Sequence, residues 1–164
     1  MKDEVFGELS YGDYDSWEGK HTLDFGGNTY TIDLSIRVFE DEEEITQRQK
    51  VAFRHFIEKW HDIQEKLIKS LIQYYNEEVR FSYGPDDEEE YAEYWPEINT
   101  KEALLQAVTL EDIVVGYDFH QKDPICIYLL FSRAWGGEDY DDNGIGVCFI
   151  NEEIDEIAYK DIAY

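Results

Sequence analysis

Apolar and polar residues alternate along the chain between residues 29 and 39. The apolar positions are Tyr30, Ile32, Leu34, Ile36 and Val38. Because successive side chains of a strand point to opposite faces, this pattern predicts a strand with one buried face. Gly26-Gly27-Asn28 tolerates positive φ and predicts a hairpin with a strand at Lys20–Phe25. Together with a strand at Val5–Tyr11, these segments predict a three-stranded antiparallel meander.

After the acidic run Glu40–Glu44, apolar residues recur at intervals of three and four positions. These residues are Phe53, Phe56, Trp60, Ile63, Leu67, Leu71 and Tyr74. This spacing predicts a long amphipathic helix from about Thr46 to Asn76, with a break near His61-Asp62. Thr46 and Gln49 match a capping box, which marks the start of the helix.

The C-terminal half predicts shorter elements. Pro85 and Pro96 bracket an acidic stretch that favours a short exposed helix or a loop, and Thr100–Ala107 favours a second short helix. Strands are predicted at Ile125–Ala134, Gly144–Ile150 and Ile154–Tyr159, with Ile113–Phe119 as a fourth candidate. The sequence therefore predicts a single α+β domain over residues 1–164, in which an N-terminal meander and a C-terminal antiparallel meander pack against one long helix and a short one.

Composition adds a formal net charge of -25, from 39 acidic and 14 basic residues. The chain is also 43% hydrophobic and 16% aromatic, so it can form a core, unlike a disordered acidic chain. Such a charge excludes nucleic acids and anionic membranes as partners. No apolar run approaches the ~20 residues that cross a bilayer, and the first residues lack a secretory signal, so we expect a cytoplasmic protein.

The acidic residues concentrate in the C-terminal half. Residues 1–82 carry a net charge of -8, and residues 83–164 carry -17. Acids surround aromatic residues there, which is typical of a surface that attracts a basic protein. The predicted partner-binding residues are Asp86, Asp87, Glu88, Glu89, Glu90, Tyr91, Tyr94, Trp95, Asp139, Tyr140, Asp141 and Asp142. The alternative is that the rings hold a loop against the sheet and the acids face water.

Candidate chemistry is sparse. Asp139, Asp141 and Asn143 match the first half of a calcium loop, but Ile150 stands where the closing Glu is needed, so a hairpin connection is the competing interpretation. Cys126 and Cys148 lie in apolar runs and are predicted to be small buried residues. The four histidines show no metal spacing. The sequence predicts no catalytic residue, metal or cofactor.

Several short motifs resemble a family of small acidic bacterial proteins of unknown function. They are Phe6-Gly7-Glu8-Leu9, Trp17-x-Gly19, Ile45-Thr46-x-x-Gln49-x-x-Ala52-Phe53, Asp142-Asn143-Gly144-Ile145-Gly146-Val147-x-Phe149-x-Asn151, Ile154-x-x-Ile157 and Asp161-Ile162. Some members of that family resemble immunity proteins that neutralise toxins. The motifs occupy turns and core positions, so the resemblance implies a fold and no catalytic residue.

Charge and resemblance together favour a non-enzymatic binding protein, foremost an immunity protein for a basic, nuclease-like toxin. A mimic of DNA that occupies a nucleic-acid-binding protein is the first alternative. It would need acids spaced along one ridge, whereas an inhibitor needs one compact patch with aromatic residues at its centre. A calcium-binding protein, a carboxylate-based enzyme using the C-terminal acids, and a protein whose acidity serves only solubility remain further alternatives.

Overall fold

A mixed β-sheet with helices on one face forms the fold, which confirms the α+β prediction. The computed structural model describes residues 1–40, 44–83, 88–119, 122–136 and 143–164. The strands are β1 (Lys2–Asp3), β2 (Gly7–Glu8), β3 (Ser10–Tyr11), β4 (Ser16–Phe25), β5 (Asn28–Arg37), β6 (Val108–Val115), β7 (Cys126–Arg133), β8 (Ile145–Ile150) and β9 (Glu153–Ala158). The helices are α1 (Gln47–Glu58), α2 (Trp60–Tyr74), a π-helical turn (Tyr75–Val79), α3 (Arg80–Tyr83), α4 (Glu88–Tyr94), α5 (Lys101–Ala107) and a 3₁₀ turn (Lys160–Ala163).

Seven strands form one sheet in the order β3-β4-β5-β6-β7-β8-β9, beside a two-stranded ribbon of β1 and β2. Strands β3 to β5 form one antiparallel meander and β6 to β9 a second, as predicted. The two meanders join through β5 and β6, which are parallel, with Leu34 opposite Ile113. The prediction of a purely antiparallel sheet is therefore wrong at the central pair, β5 and β6. The chain leaves β5, passes through α1 to α5, and enters β6 running in the same direction as β5.

The helices cover one face of the sheet, here called the inner face. The predicted apolar side of β5 lies there, and Ile32, Leu34 and Ile36 are buried in the same core as the apolar stripe of α1 and α2. The helix breaks at Lys59, two residues before the predicted position, and it continues past Asn76 to Tyr83. Tyr75 rather than Tyr74 is fully buried, and its hydroxyl donates to the carbonyl oxygen of Pro96 at 2.7 Å. No helix among the described residues is both long and apolar enough to cross a membrane.

Two predicted strands differ from the structure. The predicted strand at Val5–Tyr11 is divided between β2 and β3, because Phe6 and Leu9 turn into the core. The predicted strand at Ile113–Phe119 begins earlier, at Val108, and ends at Val115. A bulge between Leu110 and Asp112 interrupts the alternation of β6, which conceals the strand in the sequence.

The opposite, outer face of the sheet is partly covered by the C-terminal residues. Ala163 packs against Val114 and Leu130, and the guanidinium of Arg37 lies 4.6 Å from the ring centre of Tyr164. Gly146 permits this approach, because a Cβ there would meet the side chain of Ile162 and lie 2.6 Å from the carbonyl oxygen of Tyr159. The predicted polar face of β5 is therefore exposed at Thr31 and Asp33 but buried at Arg37.

Candidate functional site

The first predicted contact segment forms α4 and the residues after it. Glu89 and Tyr94 are exposed, whereas Trp95 is only 4% exposed and belongs to the core. The prediction that Trp95 forms part of a contact surface is therefore wrong, and at this residue the alternative of a ring that holds the segment to the core applies. Glu88, Glu90 and Tyr91 belong to α4 by their backbone, but their side chains are not among those described. Asp86 and Asp87 lie outside the described residues.

The second predicted contact segment, Asp139-Tyr140-Asp141-Asp142, lies outside the described residues. Of the three residues in the calcium hypothesis, Asn143 alone is described. The carbonyl oxygen of Asn143 accepts the amide of Lys160 at 3.0 Å. The amide of Gly136 donates to the carbonyl oxygen of Tyr94 at 2.8 Å, so Gly136 lies beside the end of α4. No group of three or more metal-ligating side chains occurs among the residues that are described.

A different surface combines aromatic and acidic residues at the carboxyl ends of β5 and β6. Phe39, Tyr117 and Phe119, here called the aromatic triad, contact one another with ring centres 5.2 to 5.5 Å apart. Phe39 is 39% exposed and Phe119 is 61% exposed, so the rings pack together outside the core. Glu40 follows Phe39 directly and is exposed. Aromatic rings that pack against one another and are exposed to water form an apolar patch. Exposed apolar patches mark sites of protein–protein contact.

Gln49 fixes the two chain segments that carry the triad. Its side chain is 1% exposed and belongs to the capping box of α1, as predicted, with Oε1 accepting the amide of Thr46 at 3.0 Å. Its Nε2 donates to the carbonyl oxygens of Arg37 at 2.7 Å and Gly116 at 2.9 Å. These two residues precede Phe39 and Tyr117 by two positions and one. One buried amide thus ties the start of α1 to both strands of the parallel pair.

Asp118 connects the triad with the first turn of α1. Its carboxylate accepts the hydroxyl of Thr46 at 2.9 Å and pairs with the guanidinium of Arg48. Arg48 also donates to the carbonyl oxygen of Asp123. The side chain of Asp118 is only 11% exposed, so the pair is partly shielded from water. The charge of Arg48 is therefore compensated within this surface.

A cavity of about 280 Å³ lies beside Arg48, between α1 and the ends of β7 and β8. Apolar side chains line it on both sides; they are Val51, Ala52, Phe56, Pro124, Ile125, Ile127 and Phe149. Polar side chains complete the lining; they are Gln47, Arg48, His55, Asn151 and Glu152. Phe56 and Phe149 meet with ring centres 5.1 Å apart. Apolar walls with a few polar groups are typical of ligand sites.

The polar side of this cavity includes the turn between β8 and β9. Ile150 pairs with Glu153, and the two intervening residues Asn151 and Glu152 have φ of +50° and +63°. This is a type I′ turn, which favours Asn at the first position and Gly at the second. A glutamate held in that conformation costs about 1 kcal/mol. Its carboxylate lies 3.9 Å from Nδ1 of His55 across the cavity.

The main pKa shifts on the sheet lie on the outer face, away from this surface. Cys126 and Cys148 are free; Cys148 is buried and Cys126 half-buried, close to the prediction. A hydrogen bond from the Cys148 thiol, followed by one from Tyr128, lowers the pKa of Cys126 to about 6, against the effect of burial. Burial, then the charges of Asp33 and Glu111, raises the pKa of Asp112.

Sequence reasoning missed the aromatic triad because its members are 78 and 80 positions apart along the chain, counted from Phe39 to Tyr117 and Phe119. Only the parallel pairing of β5 with β6 brings the two segments together. Each of the two chain segments that carry the triad does show a local sequence signal. Phe39 borders the acidic run Glu40–Glu44, and Tyr117-Asp118-Phe119 alternates rings with an acid just beyond a strand.

Fold and surface together define an acidic α+β domain with a partly exposed aromatic cluster at the carboxyl ends of its parallel strand pair. The chain belongs to a family whose model, described as a domain of unknown function (DUF6985), matches residues 5–164. No curated protein and no solved structure matches the chain.

Proposed function

We propose that the protein is a non-enzymatic binding protein that holds a basic partner protein through the aromatic triad and the acids around it. The observation that carries this proposal is a cluster of three mutually packed rings in which Phe39 and Phe119 are exposed, Phe119 at 61%, and Tyr117 is half-buried. Burying such rings against a partner supplies rigid contact area, and aromatic side chains are enriched in interface centres.

Charge supports a basic partner. The chain carries a net charge of -25, and the triad has Glu40 and Glu44 as exposed neighbours in the sequence. Neither forms an ion pair with another described residue, so both carboxylates are available to a partner. A negative surface accelerates association with a positive protein and disfavours acidic competitors.

The compact shape of the patch favours an inhibitor over a mimic of DNA. A mimic needs acids spaced like phosphates along a ridge, whereas the triad is a compact group of rings that Glu40 follows directly in the sequence. Nucleases must carry positive charge to hold phosphates, so they are fitting targets. We therefore propose, more specifically, a cytoplasmic bacterial immunity protein that neutralises a basic, nuclease-like toxin, in line with the family that its motifs resemble.

Site-specific photocrosslinking in the producing cells tests the contact surface. Benzoylphenylalanine replaces Phe119 in one strain and, as the matched control, Phe81 in another; Phe81 lies on α3 and is 84% exposed. We expect one basic protein to be captured through position 119 and not through position 81. In lysates of the same strains adjusted to 0.05 or 0.5 M salt before irradiation, the yield should fall steeply as salt rises, because charges between exposed surfaces are screened over that range.

Equal capture from both positions, or capture that does not respond to salt, contradicts the proposed surface. If the proposed immunity role is correct, the captured protein must be a toxin with nuclease activity. An equimolar amount of the wild-type chain must then suppress that activity. A captured DNA-binding protein without toxic activity would instead favour the mimic.

A further inference from the structure

We propose that the cavity beside α1 receives an arginine side chain of the partner, with the carboxylate of Glu152 as the acceptor of its guanidinium. The inference rests on the proposed function, since it assigns a role in the same partner contact to a cavity lined by Arg48, which pairs with Asp118 between two triad residues. It names the side-chain class that the cavity selects.

The strained turn is the first argument. Asn151 and Glu152 occupy both left-handed positions of a two-residue hairpin turn, and Glu152 stands where glycine is favoured. Nothing in the hairpin itself requires a carboxylate at that position. The side chain points to the cavity, where it is 31% exposed and faces His55. A binding role for its carboxylate would account for a glutamate at a position whose backbone disfavours it.

The charge balance of the cavity is the second argument. Besides His55, its lining contains one basic and one acidic side chain, Arg48 and Glu152. Arg48 is already paired with Asp118 and donates to the carbonyl oxygen of Asp123. Among the described residues, Glu152 has one ion-pairing group within 4 Å, the imidazole of His55 at 3.9 Å, which is longer than a hydrogen bond. The carboxylate of Glu152 can therefore still accept hydrogen bonds from a ligand. A cation is the ligand of complementary charge.

Shape is the third argument. A volume of about 280 Å³ accommodates a long side chain, and the apolar walls from Val51, Phe56 and Phe149 suit its methylene stem. The oxygens of Asn151 and Gln47 add acceptors to that of Glu152 along the polar side. A guanidinium carries five donors in a planar fork, so it can use several acceptors at once, whereas an ammonium is a compact point charge.

Nuclear magnetic resonance titration tests the proposal with defined probes. Nα-acetyl-arginine methylamide is compared with the citrulline analogue, which has the same stem and shape but a neutral urea in place of the guanidinium. The amide signals of Ala52, Ile127 and Phe149 report on the cavity walls. We expect saturable shifts at these signals and at least fivefold tighter binding of the arginine compound, with the lysine compound in between.

Variants separate the carboxylate from general charge. Glu152→Gln should abolish the preference for arginine over citrulline. Glu153→Gln is the matched control, because it removes the same charge from the adjacent residue, whose exposed side chain pairs with Lys66 at 3.3 Å outside the cavity lining. Glu152→Gly should abolish the preference while raising the melting temperature, since it completes an Asn-Gly turn. A purely structural role of Glu152 could not produce both a lost preference for arginine and a higher melting temperature.

Equal affinity for arginine and citrulline, shifts that map elsewhere, or an equal effect of Glu153→Gln and Glu152→Gln overturns the assignment. The outcome is independent of the crosslinking result. Capture through position 119 without arginine binding would leave the proposed function intact and refute the cavity assignment. Arginine binding without capture would refute the triad surface and leave the cavity assigned.

Discussion

Replacing Gln49 with leucine removes three hydrogen bonds from a position that water cannot reach. The N–H of Thr46 loses its acceptor, and the carbonyl oxygens of Arg37 and Gly116 lose a donor. Each buried polar group left without its partner costs about 1 kcal/mol or more. We therefore expect Gln49→Leu to lower the free energy of unfolding by about 3 kcal/mol, even though leucine fills a similar volume.

Urea denaturation followed by the fluorescence of the four tryptophans measures this loss. With a denaturant dependence of about 2 kcal/mol per molar urea, a loss of 3 kcal/mol lowers the midpoint by about 1.5 M. The control is Thr46→Ala, which removes the other half of the capping box and the hydroxyl bond to Asp118 but leaves both carbonyl bonds of Gln49. Loss of a cap costs about 1 kcal/mol.

Gln49→Glu sharpens the test, because it keeps an acceptor for Thr46 but points a second oxygen at two carbonyl oxygens. Burial and these carbonyls should raise the pKa of the new carboxyl above that of an exposed glutamate. Its stabilising form is then the protonated one, so this variant should gain stability relative to Gln49→Leu as the pH falls. A loss in Gln49→Leu no larger than that in Thr46→Ala would refute the view that Gln49 joins the helix to the two strands.

Two further predictions concern the sheet. Burial lowers the pKa of His21, whose ring lies 5.2 Å from that of Phe53, so protons bind the unfolded state more readily and stability falls as the pH drops below about 6.5. His21→Leu should therefore gain on the wild type between pH 7 and pH 5, by at most about 1.4 kcal/mol per pH unit in urea denaturation, and parallel pH profiles would contradict this. Gly146→Ala should cost about 1–3 kcal/mol through the clash with Ile162, partly recovered when Ile162→Ala is added; an unchanged midpoint would mean that the C-terminal residues do not pack there as described.

The inner face of the sheet and the helix stripe could be predicted because they depend on local periodicity. Alternation in β5 and the spacing from Phe53 to Leu71 each identify residues that share one face of one element. The capping box at Thr46 and Gln49 could be predicted for the same reason, since it involves residues three positions apart. Short-range rules do not say which elements pair.

The second half of the role of Gln49 shows where local rules end. Its bond to Thr46 follows from the sequence, but its bonds to Arg37 and Gly116 exist only because β5 and β6 run side by side. The inclusion of Trp95 among the predicted contact residues is wrong for a related reason. Acids beside a ring indicate an exposed segment, yet Trp95 itself turns into the core after α4 ends.

Sequence alone thus determined the two meanders, the start of the helix and the excess of acidic charge. Tertiary structure decided that the meanders join in parallel, that Phe39 meets Tyr117 and Phe119, and that Glu152 faces a cavity under α1. The physical reason is the range of the interactions. Periodicity and capping act over a few residues, whereas a surface is formed by side chains whose proximity depends on the pairing of strands far apart in the chain.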